Sequence, residues 1–191
     1  MNQNHIGEVI ETSTQKFLCQ SIKLNDGPDF GSFVKTTSND ITIYGIVYNV
    51  STMSDDQSRK PVAFGLSEEE LKMQQPQIFE LMHTYFEVQI IGYKKDRYLG
   101  LIPPKPAKIH AFTYVCDESD LNCIRENLNY IKYILNSKTG IEDELIAAAI
   151  RNLYSYDSNE KTYLIEVGKE LIRLLKNDFD RYVTIKRMCN I

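Results

Sequence analysis

Two hydrophobic periods divide the chain near Glu118. Upstream, apolar and polar residues alternate in short runs rich in Val, Ile, Phe, Tyr and Thr, and Gly, Pro, Asn and Asp punctuate them, as strands and turns require. The alternation predicts strands at 7–11, 15–23, 33–37, 41–51, 85–93 and 98–101, and a last one at 111–116. Six or seven strands of this size suffice to close a small barrel and so remove exposed edges. Asn25-Asp26-Gly27 and the segment from Lys94 to Arg97 are read as reversals between strand pairs. In the run 41–50, apolar residues occupy both parities (Ile41, Ile43, Ile46, Val47, Val50), which predicts a strand covered on both faces.

One passage breaks the alternation. Ser67 and Glu70 have capping-box spacing, and Glu68, Glu69 and Glu70 crowd the positive end of a helix dipole, so a short helix starts at Ser67. Pro76 interrupts it and opens a second turn through Ile78, Phe79, Leu81 and Met82. The preceding polar stretch, 52–60, reads as a mobile loop. Beyond Glu118 the spacing lengthens to three and four, with Leu121, Ile124, Leu128, Ile131 and Leu135 on one helical face and Ser119 as its cap. A second helix is expected at 141–154, where Ala147-Ala148-Ala149 permits the close approach of a neighbouring helix, and a third at 161–176. The segment 182–185 fits either a strand or a helical continuation. The expected fold is α+β: a small closed antiparallel-rich β-barrel over 1–118 with a helical insertion near 67–83, then an α-helical domain of about three helices over 119–191.

Composition narrows the function classes. The chain has 191 residues, 42% apolar and 25% charged, which excludes disorder and fibrous repeats. Its net charge of −4 and pI near 5.5 give no overall basic surface for nucleic acid. The acidic excess lies wholly in the first part, with 11 basic and 15 acidic residues up to Glu118 and 11 of each thereafter. No apolar run reaches the roughly 20 residues a bilayer demands. The start of the chain has neither the basic nor the apolar region of a secretion signal, so cytoplasmic residence is the expectation. Cys19, Cys116, Cys123 and Cys189 sit singly, which argues for reduced thiols and against a zinc ribbon.

The sequence carries no recognisable catalytic or binding motif. None of the nine glycines begins a phosphate-binding loop, and G-x-G-x-x-G is missing as well. His5, His83 and His110 belong to no short ligand motif and read as structural. Asp55-Asp56 and Glu68-Glu69-Glu70 could be imagined as a divalent-cation site, but a helix turn points successive carboxylates apart. Cys116 and His110 lie six residues apart around one strand, about 20 Å at strand rise, too far for direct activation. Twelve tyrosines without tryptophan raise base stacking, but no basic groove accompanies them. No catalytic, cofactor-binding or metal-binding residue is assigned, and the protein is expected not to be an enzyme.

An ordered set of short segments carries a resemblance: Ile6-Gly7-Glu8-Val9-Ile10, Phe17, Gly31-Ser32-Phe33-Val34, Ile43-Tyr44-Gly45-Ile46-Val47, the run from Phe86 to Gly92, and Ile102-Pro103-Pro104-Lys105-Pro106-Ala107. Over residues 6–117 this part resembles the HAS barrel, the small β-barrel shared by HerA-type DNA-translocating ATPases and rotary ATP synthase subunits. In those ATPases a RecA-like motor follows the barrel, whereas here about 73 residues of helical pattern follow it, so no ATPase activity is implied. The resemblance implies assembly: a barrel without its motor that associates with itself or docks onto a separately encoded HerA-like ATPase. A nucleic-acid-binding barrel using tyrosines and a patch at Lys94, Lys95 and Arg97 is the rival expectation.

Overall fold

The structure, a computed structural model, describes residues 5–54, 62–154 and 160–189. Among these residues seven strands form one antiparallel sheet: β1 (Gly7–Thr12), β2 (Lys16–Ser21), β3 (Phe33–Ser38), β4 (Ile41–Ser54), β5 (Met82–Lys94), β6 (Tyr98–Leu99) and β7 (Phe112–Val115). Their order is β2-β1-β7-β3-β4-β5-β6, and a further β2–β5 pairing closes the first six into a barrel. The short β6 hangs on the far end of β5 through a tight hairpin at 95–97. The expected reversal at Asn25-Asp26-Gly27 turns the chain, with Asn25 in the left-handed region at φ 61°, but it leads from β2 to β3, which are not neighbours.

Closure needs long strands that bend. β4 and β5 supply them, and β4 carries register shifts at Tyr44/Gly45 and between Val47 and Asn49. The first falls at Gly45, where a side chain would strike Val88 and stand 2.9 Å from the Gln89 carbonyl oxygen. Gly7 serves the same purpose on β1, with the Gln20 carbonyl oxygen 2.5 Å from where a Cβ would lie. Val9, Phe17, Cys19, Val34, Ile43, Val47, Phe86, Val88 and Ile90 fill the barrel.

Two helices, α1 (Glu68–Gln74) and α2 (Pro76–Leu81), lie between β4 and β5. The Ser67–Glu70 capping box and the opening of α2 by Pro76 are both present. Most of the predicted loop 52–60 lies outside the described residues. Among the described residues, after β7 come α3 (Glu118–Arg125), α4 (Asn129–Leu135), α5 (Glu142–Tyr154), α6 (Glu160–Leu174) and α7 (Phe179–Cys189), five helices where about three are expected. The single helix predicted through Leu121 and Leu135 breaks because the Asn127 side chain accepts from the Asn129 amide, a local bond that competes with helix continuation. Asn129 then donates to the Gly100 carbonyl, anchoring the break on the strand layer. Asp117, rather than Ser119, caps α3 and forms a capping box with Asp120. Residues 182–185 are helical, with Ile185 buried against the other helices.

The helical region does not have a core of its own. Phe33, Tyr44, Ile46, Tyr48 and Ile91 on the outside of the barrel join Ile124, Tyr130, Ile131, Ile134, Leu145 and Ile146 in one apolar cluster. The two-parity pattern of β4 has its explanation here: Ile43 and Val47 face the barrel interior, while Tyr44, Ile46 and Tyr48 face the helices. At Ala148 in the alanine run of α5 the close neighbour is not the expected helix but the barrel segment at Gly31, just before β3. Ala148 Cβ sits 2.6 Å from where a Cβ of Gly31 would lie, Gly31 has φ 82°, and Asn152 donates to its carbonyl at 2.7 Å.

Candidate docking surface

Because the helices cover the outside of β3, β4 and β5, the wall on the side of β1 and β7 is where the barrel meets solvent. Alternation along β7 points Thr113 inward, where its hydroxyl meets the Cys19 thiol at 3.2 Å, and leaves Phe112 46% exposed on the outside. The His5 ring lies 4.2 Å from that of Phe112 and 6.4 Å from that of Tyr114, forming an aromatic strip. Beyond it, Ile22 at the end of β2 is 54% exposed. Ile22, His5, Ile6, Pro28 and Val115 line an open cavity of about 370 Å³ at this end of the barrel. On the other side of Gly27–Pro28, a second depression of about 620 Å³ runs past Phe30 and Val50 to Ile141. The first concavity, mainly apolar and beside exposed apolar side chains, has the character of an interaction surface, whereas Asn25, Asp29, Asn49, Thr52 and Thr84 make the second one mixed. The strip could have been found from the alternation of β7, but only with knowledge of which wall the helices leave open.

Two partly buried polar clusters hold the barrel against the helices and the strands in register. Lys35 on β3 binds Asp117 at 2.8 Å and also Asp120, and the Tyr44 hydroxyl donates to Asp120 at 2.8 Å. Bonding to Lys35 holds the Asp117 carboxyl below its usual 3.8, while the two carboxylates raise Lys35 against the opposing effect of its burial. On β5, burial pushes Glu87 up, but donation from Tyr48 at 2.5 Å and Asn49 at 2.9 Å, with the charge of Lys16, outweighs it and holds the carboxyl below 4.5. Lowered carboxyls contribute stability above their unfolded-state values that is lost as pH falls through the folded ones. Thermal stability is therefore expected to be flat near neutrality and to fall as pH drops through about 4 and below. Asp117→Asn keeps a capping side chain and removes the charge, so its melting temperature should fall less steeply over the same range; a slope equal to the parent's would contradict the assignment.

The residues weighed for chemistry do not converge. His5 belongs to the aromatic strip, His83 meets Gln20 at 3.1 Å, and His110, exposed at φ 64° in the turn before β7, faces Glu8 at 3.2 Å. Cys116 is a buried thiol whose pKa burial pushes well up, and burial raises Cys19 to about 12, so neither is a ready nucleophile. Glu68, Glu69 and Glu70 form the first turn of α1, and Asp55-Asp56 lies outside the described residues. Among the described residues no group of three His, Cys, Asp or Glu side chains could hold a metal ion, and no helix is long and apolar enough to cross a membrane. Lys94, Lys95 and Arg97 surround the β5–β6 hairpin end with Asp96 among them, and Lys95 and Arg97 are exposed.

The family comparison bears on the strands rather than on a pocket. Residues 6–96 match the family model of the HAS barrel domain, a span that holds five of the six strands closing the barrel. The barrel is a HAS barrel. No curated protein matches the chain. The family match ends at Asp96, so the Pro103–Pro106 segment and β7, which complete the HAS barrel here, rest on the structure alone. Among the described residues, the elements after the last strand of this HAS barrel are all helices.

Proposed function

We propose that the protein is a non-enzymatic assembly module whose HAS barrel docks onto copies of itself or onto a separately encoded HerA-like DNA-translocating ATPase. HAS barrels are modules of ATPase-associated proteins, and assembly is the role that needs no catalytic group. The observation that carries the reading is the uncovered apolar wall: Ile22, Phe112 and the cavity beside them lie on the side of the HAS barrel that its own helices leave open. The two-faced burial of β4 lends it no support, since the helices account for it.

Charging that wall tests the reading in the full-length protein. Ile22→Glu with Phe112→Glu should lower the melting transition only modestly, because both side chains are about half exposed and the new carboxylate at 112 faces Glu8 across the strand pair, and should weaken association by at least about tenfold through the desolvation of two carboxylates in an apolar contact. Association is read by co-elution with the protein itself or with the HerA-like ATPase of the same genome. Undiminished association of the double variant would move the interface off this wall.

A further inference from the structure

Closing the barrel leaves an edge of β4 open. β3 pairs with β4 only as far as Ile46, and the last backbone bonds on that side run from Gly31 to the Val47 carbonyl and from Val47 to the Ser32 carbonyl. β4 continues to Ser54 with β5 as its partner on the other side. From Asn49 to Met53, therefore, no backbone group of the described residues pairs with the free edge, and alternate residues turn their N–H and C=O groups out along it. Native sheets blunt such an edge with charge or proline, and the run Tyr48–Ser54 has neither.

The edge lies in a groove. The stretch Asn25–Phe30 crosses its barrel side, where a Cβ on Gly27 would stand 2.8 Å from Val50 Cγ1, and Ile141 stands with the helices on the other; these two banks flank the depression of about 620 Å³. Phe30 and Val50 are exposed apolar side chains within it, Asn49 and Thr52 are polar, and among its lining residues Asp29 alone carries a charge. The Glu87 carboxylate, bonded to Tyr48 and Asn49, adds negative charge behind it. We propose that this edge takes up one extended segment of a partner protein as an added strand, with a basic residue of that segment set against Asp29. Open main-chain groups call for a strand, since a helix has already spent its own along its length. The recess admits a single chain, whereas the same edge of a second copy lies between its own two banks and cannot reach in. The groove is separate from the β1–β7 wall and stands or falls without it.

The test uses the full-length protein and a labelled seven-residue peptide, long enough to cover the roughly 17 Å of open edge, that alternates valine with threonine and carries lysine at both ends. Fluorescence anisotropy should show it binding at least about tenfold more tightly than the same peptide N-methylated at every interior residue, which keeps the side chains and removes the main-chain donors. It should also bind about fivefold more tightly than a version with glutamate ends, with the difference shrinking as salt rises, and Asp29→Lys, at an exposed position, should reverse that preference. Amide hydrogen exchange should slow within 49–53 when the peptide is added. No binding, equal binding of the N-methylated peptide, or protection that falls on β1 and β7 instead would each overturn the proposal. So would exchange within 49–53 that slows with rising protein concentration alone, the sign that a second copy fills the groove.

Discussion

Replacing Asp120 with alanine is expected to cost about 3 kcal/mol of folding stability in urea, at the lower end for breaking a buried ion pair. Asp120 is 9% exposed at its side chain and has three tasks at the joint between barrel and helices. It accepts the buried Tyr44 hydroxyl from β4, it binds Lys35 from β3, and it accepts the Asp117 amide in the capping box of α3. Alanine strands the hydroxyl, which alone costs about 1–3 kcal/mol when no water replaces the acceptor. Lys35 keeps Asp117, so the loss stays short of the full cost of an unpaired buried charge. Asp120→Asn retains an acceptor and should lose about half as much. In a double-mutant cycle, Tyr44→Phe should cost clearly less in the Asp120→Ala background than in the parent. Additive losses would show that the two side chains act independently and that the joint is not the network described.

A chain ended after Asp117 should fail to fold cooperatively, despite containing every strand of the HAS barrel. Phe33, Tyr44, Ile46, Tyr48 and Ile91 are buried only because the helices lie on them. At about 2 kcal/mol for each large side chain returned to water, the loss is about 10 kcal/mol, the size of a whole domain's stability. The shortened chain should bind a hydrophobic dye and show no sharp thermal transition, whereas a cooperative melt close to that of the full protein would mean the barrel is self-sufficient. Association of the shortened chain would carry no information about the β1–β7 wall, since the freshly bared wall at β3–β5 is itself sticky.

Local rules made most of the elements legible. Alternation placed all seven strands within a few residues of their ends, Ser67 and Glu70 announced α1, and Pro76 announced the start of α2. Competition and partnership stayed hidden. Leu121, Ile124, Leu128, Ile131 and Leu135 keep helical spacing through a break that one asparagine side chain causes, because the apolar face stays in register on both sides of it. Ser119 and Asp117 are both good caps, and only the reciprocal bond from Asp120 selects Asp117. Apolar residues on both parities of β4 correctly foretold two covered faces, yet the sequence could not say whether a second copy or the chain's own helices did the covering. For the same reason the docking surface was out of reach: Phe112 and Ile22 look like any strand-end hydrophobics until the helices are seen to lie on the opposite side of the barrel.

Light scattering on the full-length protein at high micromolar concentration, alone and mixed with a HerA-like ATPase where the same genome encodes one, reads the proposed assembly. A mass above that of the 22.1 kDa monomer is expected in at least one of the two samples, reverting toward the separate components when Ile22 and Phe112 are both replaced by glutamate. A monomer in isolation that also leaves the ATPase's mass unchanged would contradict it.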